Sequence, residues 1–208
     1  MEGVNRESLG CDDQDVVETA QVIRAALSEH VAVMASISES ADELSAASAE
    51  LVACVAGGSK ILVCGNGGSA ADAQHLAAEL VGRFLRERRP LPAIALTVNT
   101  SVLTAVANDY QFADVFRRQV EALGHPGDVL VAISTSGDSP NVLRAAECAR
   151  SKGMKCIGIL GHDGGRLAPL CDVALIVRAS HVARIQEAHE WIIHVLCELV
   201  ENSIATPE

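Results

Sequence analysis

The sequence predicts an α/β fold, with a five-stranded, mainly parallel sheet flanked by helices and preceded by long N-terminal helices. Three observations carry this expectation. Short apolar runs recur near residues 60–64, 92–96, 128–133, 155–160 and 172–177, separated by stretches with helical periodicity. Close to half of the 208 residues (49%) are apolar, yet the aromatics number one Trp, one Tyr and three Phe. A core of Ala, Val, Leu and Ile follows, which suits a parallel sheet under Ala-rich helices. Glycine-rich and serine-rich turns follow the first and third runs, where parallel α/β sheets open toward ligands.

Each element has its own warrant. Residues 13–56 carry apolar side chains at Val16, Ala20, Ile23, Leu27, Val31, Met34, Ile37, Ala41, Leu44, Ala47 and Leu51. Steps of three and four mark one or two long amphipathic helices, closed by Gly57-Gly58. A stripe of that length needs a partner surface, so residues 1–56 are assigned as a helical oligomerisation segment and 57–208 as one compact ligand-binding unit. Helical patterns follow at 69–82, 111–122, 139–151 and 182–202. Ser139 is placed to cap the third of these, with Pro140 at its first position.

Composition narrows the function classes. A net charge of −11 argues against nucleic-acid binding through the whole surface. No apolar run approaches the ~20 residues that span a bilayer, and the N-terminus is acidic and polar instead of signal-like. The seven cysteines (11, 54, 64, 148, 156, 171 and 197) form no C-x-x-C pair, and most lie inside apolar runs. A reducing cytoplasm and no disulfides are expected.

Residues 64–79, Cys-Gly-Asn-Gly-Gly-Ser-Ala-Ala-Asp-Ala-Gln-His-Leu-Ala-Ala-Glu, are the most informative stretch. A strand turns through three glycines into a helix that carries His75 and Glu79 on one face, four residues apart. Helix-start N–H groups behind a glycine turn suit an anion, and the imidazole and carboxylate suit metal or proton chemistry. No Gly-Lys-Ser/Thr follows, so this is not an ATP-hydrolysing loop. Gly65-Asn-Gly-Gly-Ser-Ala70 fits the loose dinucleotide pattern, but the next strand ends in Thr97-Val98-Asn99, with no carboxylate for a ribose. The second loop, Ile133-Ser-Thr-Ser-Gly-Asp-Ser-Pro-Asn141, offers hydroxyls and an open helix start, a phosphate cradle without lysine. Each loop alone could be a structural turn; two at neighbouring strand ends favour one sugar-phosphate pocket. On the last helix Gln186, Glu190 and His194 step by four along one drifting face, and His189 lies on another. Periodicity does not say which of them faces the pocket.

Taken together, Gly65–Glu79, Ala107-Asn-Asp-Tyr110, Ile133–Ser139 and Arg184-Ile-Gln-Glu-Ala-His189 resemble the sugar-isomerase (SIS) family, and within it the bacterial phosphoheptose isomerases. The resemblance implies a flavodoxin-like three-layer sandwich that interconverts sedoheptulose 7-phosphate and D-glycero-D-manno-heptose 7-phosphate through a cis-enediol. It implies that Ser134, Thr135, Ser136 and Ser139 hold the phosphate, while Asn66, Gly67, Gly68, Ser69, Asn108 and Asp109 line the sugar chain. Glu79 and His194 become the acid/base pair. His75, Glu79, Gln186 and His194 become ligands of one zinc ion per active site, with Glu79 and Gln186 also near the substrate. Arg83 is placed at the pocket rim, and Arg86, Arg88 and Arg89 in a solvated loop. Relatives form homotetramers through the N-terminal helices, with sites between subunits. Some carry an Asp where this chain has Ala183. The alternatives are a non-catalytic SIS protein of the initiator-associating type, or an isomerase or sensor of another phosphosugar.

Overall fold

The computed structural model describes residues 13–204, and side chains from residue 17 on. Cys11, the first twelve residues of the N-terminal segment, the last four of the C-terminal unit and the Val16 side chain lie outside the described residues. Helices α1 (Asp13–Ser36) and α2 (Ala41–Ala56) are joined by a 3-10 turn at Ile37–Ser40. There follow β1 (Ile61–Cys64), α3 (Gly68–Val81), β2 (Ala93–Ala95), α4 (Thr100–Asp109), α5 (Arg117–Leu123), β3 (Val129–Ser134), α6 (Pro140–Ser151), β4 (Lys155–Gly161), β5 (Val173–Val177) and α7 (Val182–Ile204).

The five strands run in the order β2-β1-β3-β4-β5, and every pairing is parallel. β3 shows why: all six of its residues are buried, as a central strand covered on both faces requires. Ile61, Val63, Val129, Val131, Ile157 and Ile159 pack with α2, α3 and α7, and the alternating Leu62, Leu130, Ala132, Cys156 and Leu160 pack with α5 and α6. Each such Leu, Ile or Val contributes about 1.5–3 kcal/mol by leaving water. The chain leaves β1 toward β2 on one side and β3 toward β4 on the other. Their carboxyl ends therefore frame the crevice at the switch point.

At the opposite end of the same two strands, buried Asp128 accepts the Lys60 backbone N–H (2.9 Å), the Lys60 ammonium (2.6 Å) and the His125 N–H (2.8 Å). β1 and β3 are thus pinned before the crevice is reached.

Several local expectations are corrected. The helix expected at 111–122 is a 3-10 turn at Phe112–Asp114 followed by the shorter α5. α4 was unexpected: none of its residues is fully buried, and only the short face of Leu103, Val106 and Ala107 packs, half-buried, against the core. Its start has a local cause: the Asn99 side chain accepts the Val102 N–H at 3.0 Å. Ser139 occupies the N-cap position of α6 but makes no side-chain capping bond, because its hydroxyl sits 3.2 Å from that of Ser134. The N-terminal stripe divides: Ile37, Leu44, Ala47 and Leu51 are buried, whereas Ile23, Leu27 and Val31 are about 60% exposed. Cys54, Cys64, Cys148, Cys156, Cys171 and Cys197 are free thiols. No described helix is long and apolar enough to cross a membrane.

Candidate active site

The site is assembled from the loop after β1, the loop after β3, and the facing helices α3 and α7. Gly67 turns the chain with φ 57° and ψ −120°, a conformation that a β-carbon makes costly. Gly68 then opens α3, and its missing side chain is where α7 comes close: a Cβ there would overlap the amide of Gln186. Gln186 therefore stands over the start of α3, beside N–H groups that have no intrahelical acceptor. Ser69, next along, is buried.

Asn66 and Asn141 join the two loops. Each donates its amide N–H to the other's carbonyl oxygen at 2.8 Å, a reciprocal pair across the switch point. Asn141 is buried at the start of α6. In the serine loop the Ser134 hydroxyl accepts the Gly137 N–H (3.1 Å) and Ser136 accepts the Asp138 N–H (3.2 Å), so two of the four expected phosphate-binding hydroxyls also shape the loop itself. Thr135 is half-buried and Ser136 exposed. The Asp138 carboxylate, whose charge would oppose a phosphate, is taken by Arg166 Nε at 2.8 Å, and this bond holds its carboxyl below the usual range.

Beyond the glycine turn, α3 and α7 bring two imidazoles together. His75 Nε2 and His194 Nε2 are 2.9 Å apart. Glu190 Oε1 lies 3.3 Å from the first and 3.5 Å from the second. Glu79 Oε1 is 3.7 Å from His75 Nε2. The Phe84 ring stacks on His194 at 5.4 Å between centroids. One turn before His75, the buried carboxylate of Asp72 has an oxygen with no hydrogen-bond partner. Burial, reinforced by nearby Glu190 and opposed by His75, pushes its carboxyl up to about 6. His189 takes no part: it is fully buried, and burial pushes its imidazole down to about 4, which keeps it neutral.

A carboxylate two turns further along α7 organises the wall of this group. Glu201, buried, accepts the N–H groups of Phe84 (3.0 Å), Leu85 (2.7 Å) and Arg86 (2.8 Å) and pairs with Arg88 at 3.2 Å. Burial raises its carboxyl, but those donors outweigh it and hold the group below its ordinary value. Arg88 in turn donates to the carbonyls of Glu79 (2.7 Å) and Leu80 (2.8 Å), satisfying the open C-terminal end of α3. The expectation of a solvated arginine loop is corrected for Arg88, whose side chain is 3% exposed. A run of arginines reads as surface until the distant Glu201 is placed beside it. Arg83, Arg86 and Arg89 are exposed, and Arg83 Nε lies 3.8 Å from the Glu87 carboxylate.

Of the candidates, the fold thus gathers His75, His194 and Glu79, with Gln186 over Gly68. Asn108 and Asp109 lie at the exposed end of α4, their side chains bonded to each other at 2.9 Å, and among the described residues no other side-chain hydrogen bond is made by either. Glu190, Asn141, Asp72, Arg88 and Glu201 add to the set. Only Glu190 had a signal in the sequence, its four-residue step from both Gln186 and His194.

The SIS domain family matches residues 27–161. The phosphoheptose isomerase of a Nitratiruptor species is 64% identical over 144 residues, which are 69% of this chain and 77% of that protein. The phosphoheptose isomerase of Geotalea daltonii is 54% identical over 183 residues, 88% of this chain and 95% of that protein. Among solved structures, phosphoheptose isomerase GmhA from Neisseria gonorrhoeae has a TM-score of 0.84 at 42% identity, covering 88% of this chain and 99% of that one. A phosphoheptose isomerase from Francisella tularensis has a TM-score of 0.86 at 38% identity, covering 88% and 98%. The chain belongs to the phosphoheptose isomerases of the SIS-domain family.

Proposed function

We propose that this chain isomerises sedoheptulose 7-phosphate to D-glycero-D-manno-heptose 7-phosphate through a cis-enediol, in activated-heptose biosynthesis. The observation that carries it is the meeting of His75 and His194, with Glu79 beside them, next to two anion-suited loops. Relatives named phosphoheptose isomerase at 52–64% identity support the same activity over a non-catalytic SIS protein or a sensor of another phosphosugar.

The residues divide the work. Ser134, Thr135, Ser136 and Ser139, with the start of α6, take the phosphate; Asn66, Gly67, Gly68 and Ser69 line the sugar chain, with Asn108 and Asp109 as further contacts. The Glu79 carboxylate takes a proton from C1 of the open-chain ketose and returns it to C2. His194 carries the hydroxyl proton from O1 to O2, so the net change is one C–H and one O–H moved. Glu79 stands within reach of an imidazole, as a proton relay needs. No proton shuttle is assigned to position 183, where Ala183 has no group to carry one.

Zinc belongs to this proposal. Two imidazole nitrogens turned toward each other, with carboxylates alongside, are a donor set that fits a borderline divalent ion. Such an ion supplies a Lewis acid for the two substrate oxygens as the enediolate develops. His75 and His194 would hold it, with oxygen donors from among Glu79, Glu190 and Gln186. A homotetramer in the cytoplasm completes the reading; the exposed Ile23, Leu27 and Val31 on α1 support association between copies.

A coupled assay on sedoheptulose 7-phosphate, with and without chelator, tests the proposal. Turnover by the zinc-loaded chain is expected, falling by about 10²–10⁴ in Glu79→Gln. Unchanged turnover in the variant, or none in the wild type, would overturn it.

A further inference from the structure

The motif Arg184-Ile-Gln-Glu187 sends its four side chains in three directions. Ile185 is fully buried and packs where a β-carbon on Gly161 would stand, at the end of β4, and Gln186 reaches over Gly68 at the start of α3. Arg184 and Glu187, to which the proposed reaction gives no part, both turn to α1. Arg184 Nη1 donates to the Ala26 carbonyl at 2.6 Å, and Nη2 pairs with Glu187 Oε1 at 3.0 Å. The other Glu187 oxygen lies 2.7 Å from His30 Nδ1. Ala26 and His30 are about one turn apart, so two side chains of α7 grip a single turn of α1.

α1 has little else to hold it. Among the described side chains of residues 17–36 none is fully buried; Val33 and Met34 pack half-buried against the core, while Ile23, Leu27 and Val31 face outward. The Arg184 side chain is 15% exposed, and its Nε is buried without a partner. A solvated arginine would avoid that cost, and what offsets it is the charge-assisted tie to α1. On the α7 side, the Ile185 N–H meets the His181 carbonyl at 3.1 Å, just before Gln186. Gln186 thus stands near a helix start, where open N–H groups let the backbone fray, and the two residues tied to α1 bracket it.

We propose that Arg184 and Glu187 are positioning residues: by clamping residues 26–30 of α1 they hold the start of α7 in place and so keep the Gln186 amide over Gly68. α1 then has a duty within its own chain, besides any contact between copies. A helix start free to shift by an ångström carries Gln186 with it, and a displacement of that size can cost about a hundredfold in rate. The effect on turnover rests on the isomerase reading; the clamp itself does not.

The test is a double-variant cycle read in turnover of sedoheptulose 7-phosphate by the full chain. Arg184→Met, which loses the donors, should lower kcat about 10–100-fold and move KM less than about threefold, since the phosphate is held on other elements. Gln186→Ala should lower kcat at least as far. Arg184→Met in that background should cost less than about threefold more, because the residue it acts through is already gone. His30→Leu cuts the clamp from the α1 side; it should lower kcat about threefold or more and be equally silent over Gln186→Ala. Further losses above that limit in the double variants would overturn the proposal, as would wild-type kcat in Arg184→Met or His30→Leu. Should Arg184→Met melt below the assay temperature, His30→Leu, at a half-buried side chain, is read by the same criteria. Hydrogen exchange without substrate reads the clamp itself: amides of residues 185–188 should exchange at least about threefold faster in both variants, with residues 129–133 unchanged. Exchange as described with no turnover by the wild type would end the isomerase reading and leave the clamp standing. Wild-type turnover with unaltered exchange and rates in both variants would do the reverse.

Discussion

Replacing Glu201 by Gln should destabilise the chain by about 3–5 kcal/mol and disable the site without touching a reacting group. The magnitude follows from what the carboxylate holds: three successive backbone N–H groups at 2.7–3.0 Å and the Arg88 guanidinium, in a pocket where both side chains are nearly sealed from water. Removing one member of a buried ion pair leaves the other charge uncompensated, which costs about 3–5 kcal/mol. Gln keeps one acceptor oxygen but presents an NH₂ group to donors, so part of the N–H set is also lost. For a chain of this size each kcal/mol moves the melting temperature by about 2–4 °C, so a fall on the order of 10 °C is expected. The loop that stacks Phe84 on His194 loosens with it, and turnover should fall more than substrate affinity. Calorimetry at matched protein concentration and steady-state assay below the melting range read the two effects. A melting temperature within about 2 °C of wild type, or a double variant with Arg88→Met that shows no coupling, would refute the reasoning.

Gly68→Ala should lower turnover by about 10–100-fold with little change in melting temperature, because the new methyl displaces only the movable end of Gln186; steady-state kinetics beside a thermal melt check this. Asn141→Asp breaks the reciprocal amide pair, sets a carboxylate oxygen against Asn66 Oδ1 and brings negative charge near the phosphate. KM should rise about tenfold or more, read from initial rates. Asp72 gives a pH signature. A carboxyl raised from 3.8 to about 6 on folding favours the proton in the native state, so stability falls as pH rises through that interval and is level above it. Metal-free Asp72→Asn, which lacks this loss, should exceed wild type by about 2–3 kcal/mol at pH 7.5, with the gap closing below about pH 4 in urea titrations.

Much of the fold was legible because its core strands are uninterrupted apolar runs. Val129–Ile133 can be little other than a strand buried on both faces, and the glycine turn before Ser69 announces a helix start. α4 was hard to read from periodicity, since it fully buries no residue and its apolar face is only one turn long, Leu103, Val106 and Ala107; Asn99 as a cap was its clearest local mark. The site divides in the same way. His75 and Glu79 share a helix face, as Gln186, Glu190 and His194 do, and those spacings are local facts. That the two faces meet, and that Glu190 reaches both rings, depends on how α3 packs against α7. Arg88 and Glu201 lie more than a hundred residues apart, and only the fold reveals that each answers the other's charge.

The bridge between Asn66 and Asn141, together with the Asp128 anchor at the far end of the same strands, turns the crevice into a fixed gauge. In the proposed function the serine loop takes the phosphate end of the substrate and the imidazoles face the other, on elements tied together by these bonds. A sugar phosphate one carbon shorter would fall short of Glu79 by on the order of an ångström, a misplacement that can cost about a hundredfold in rate. Discrimination by chain length then comes from rigidity in the scaffold, with no contact devoted to recognising the missing carbon.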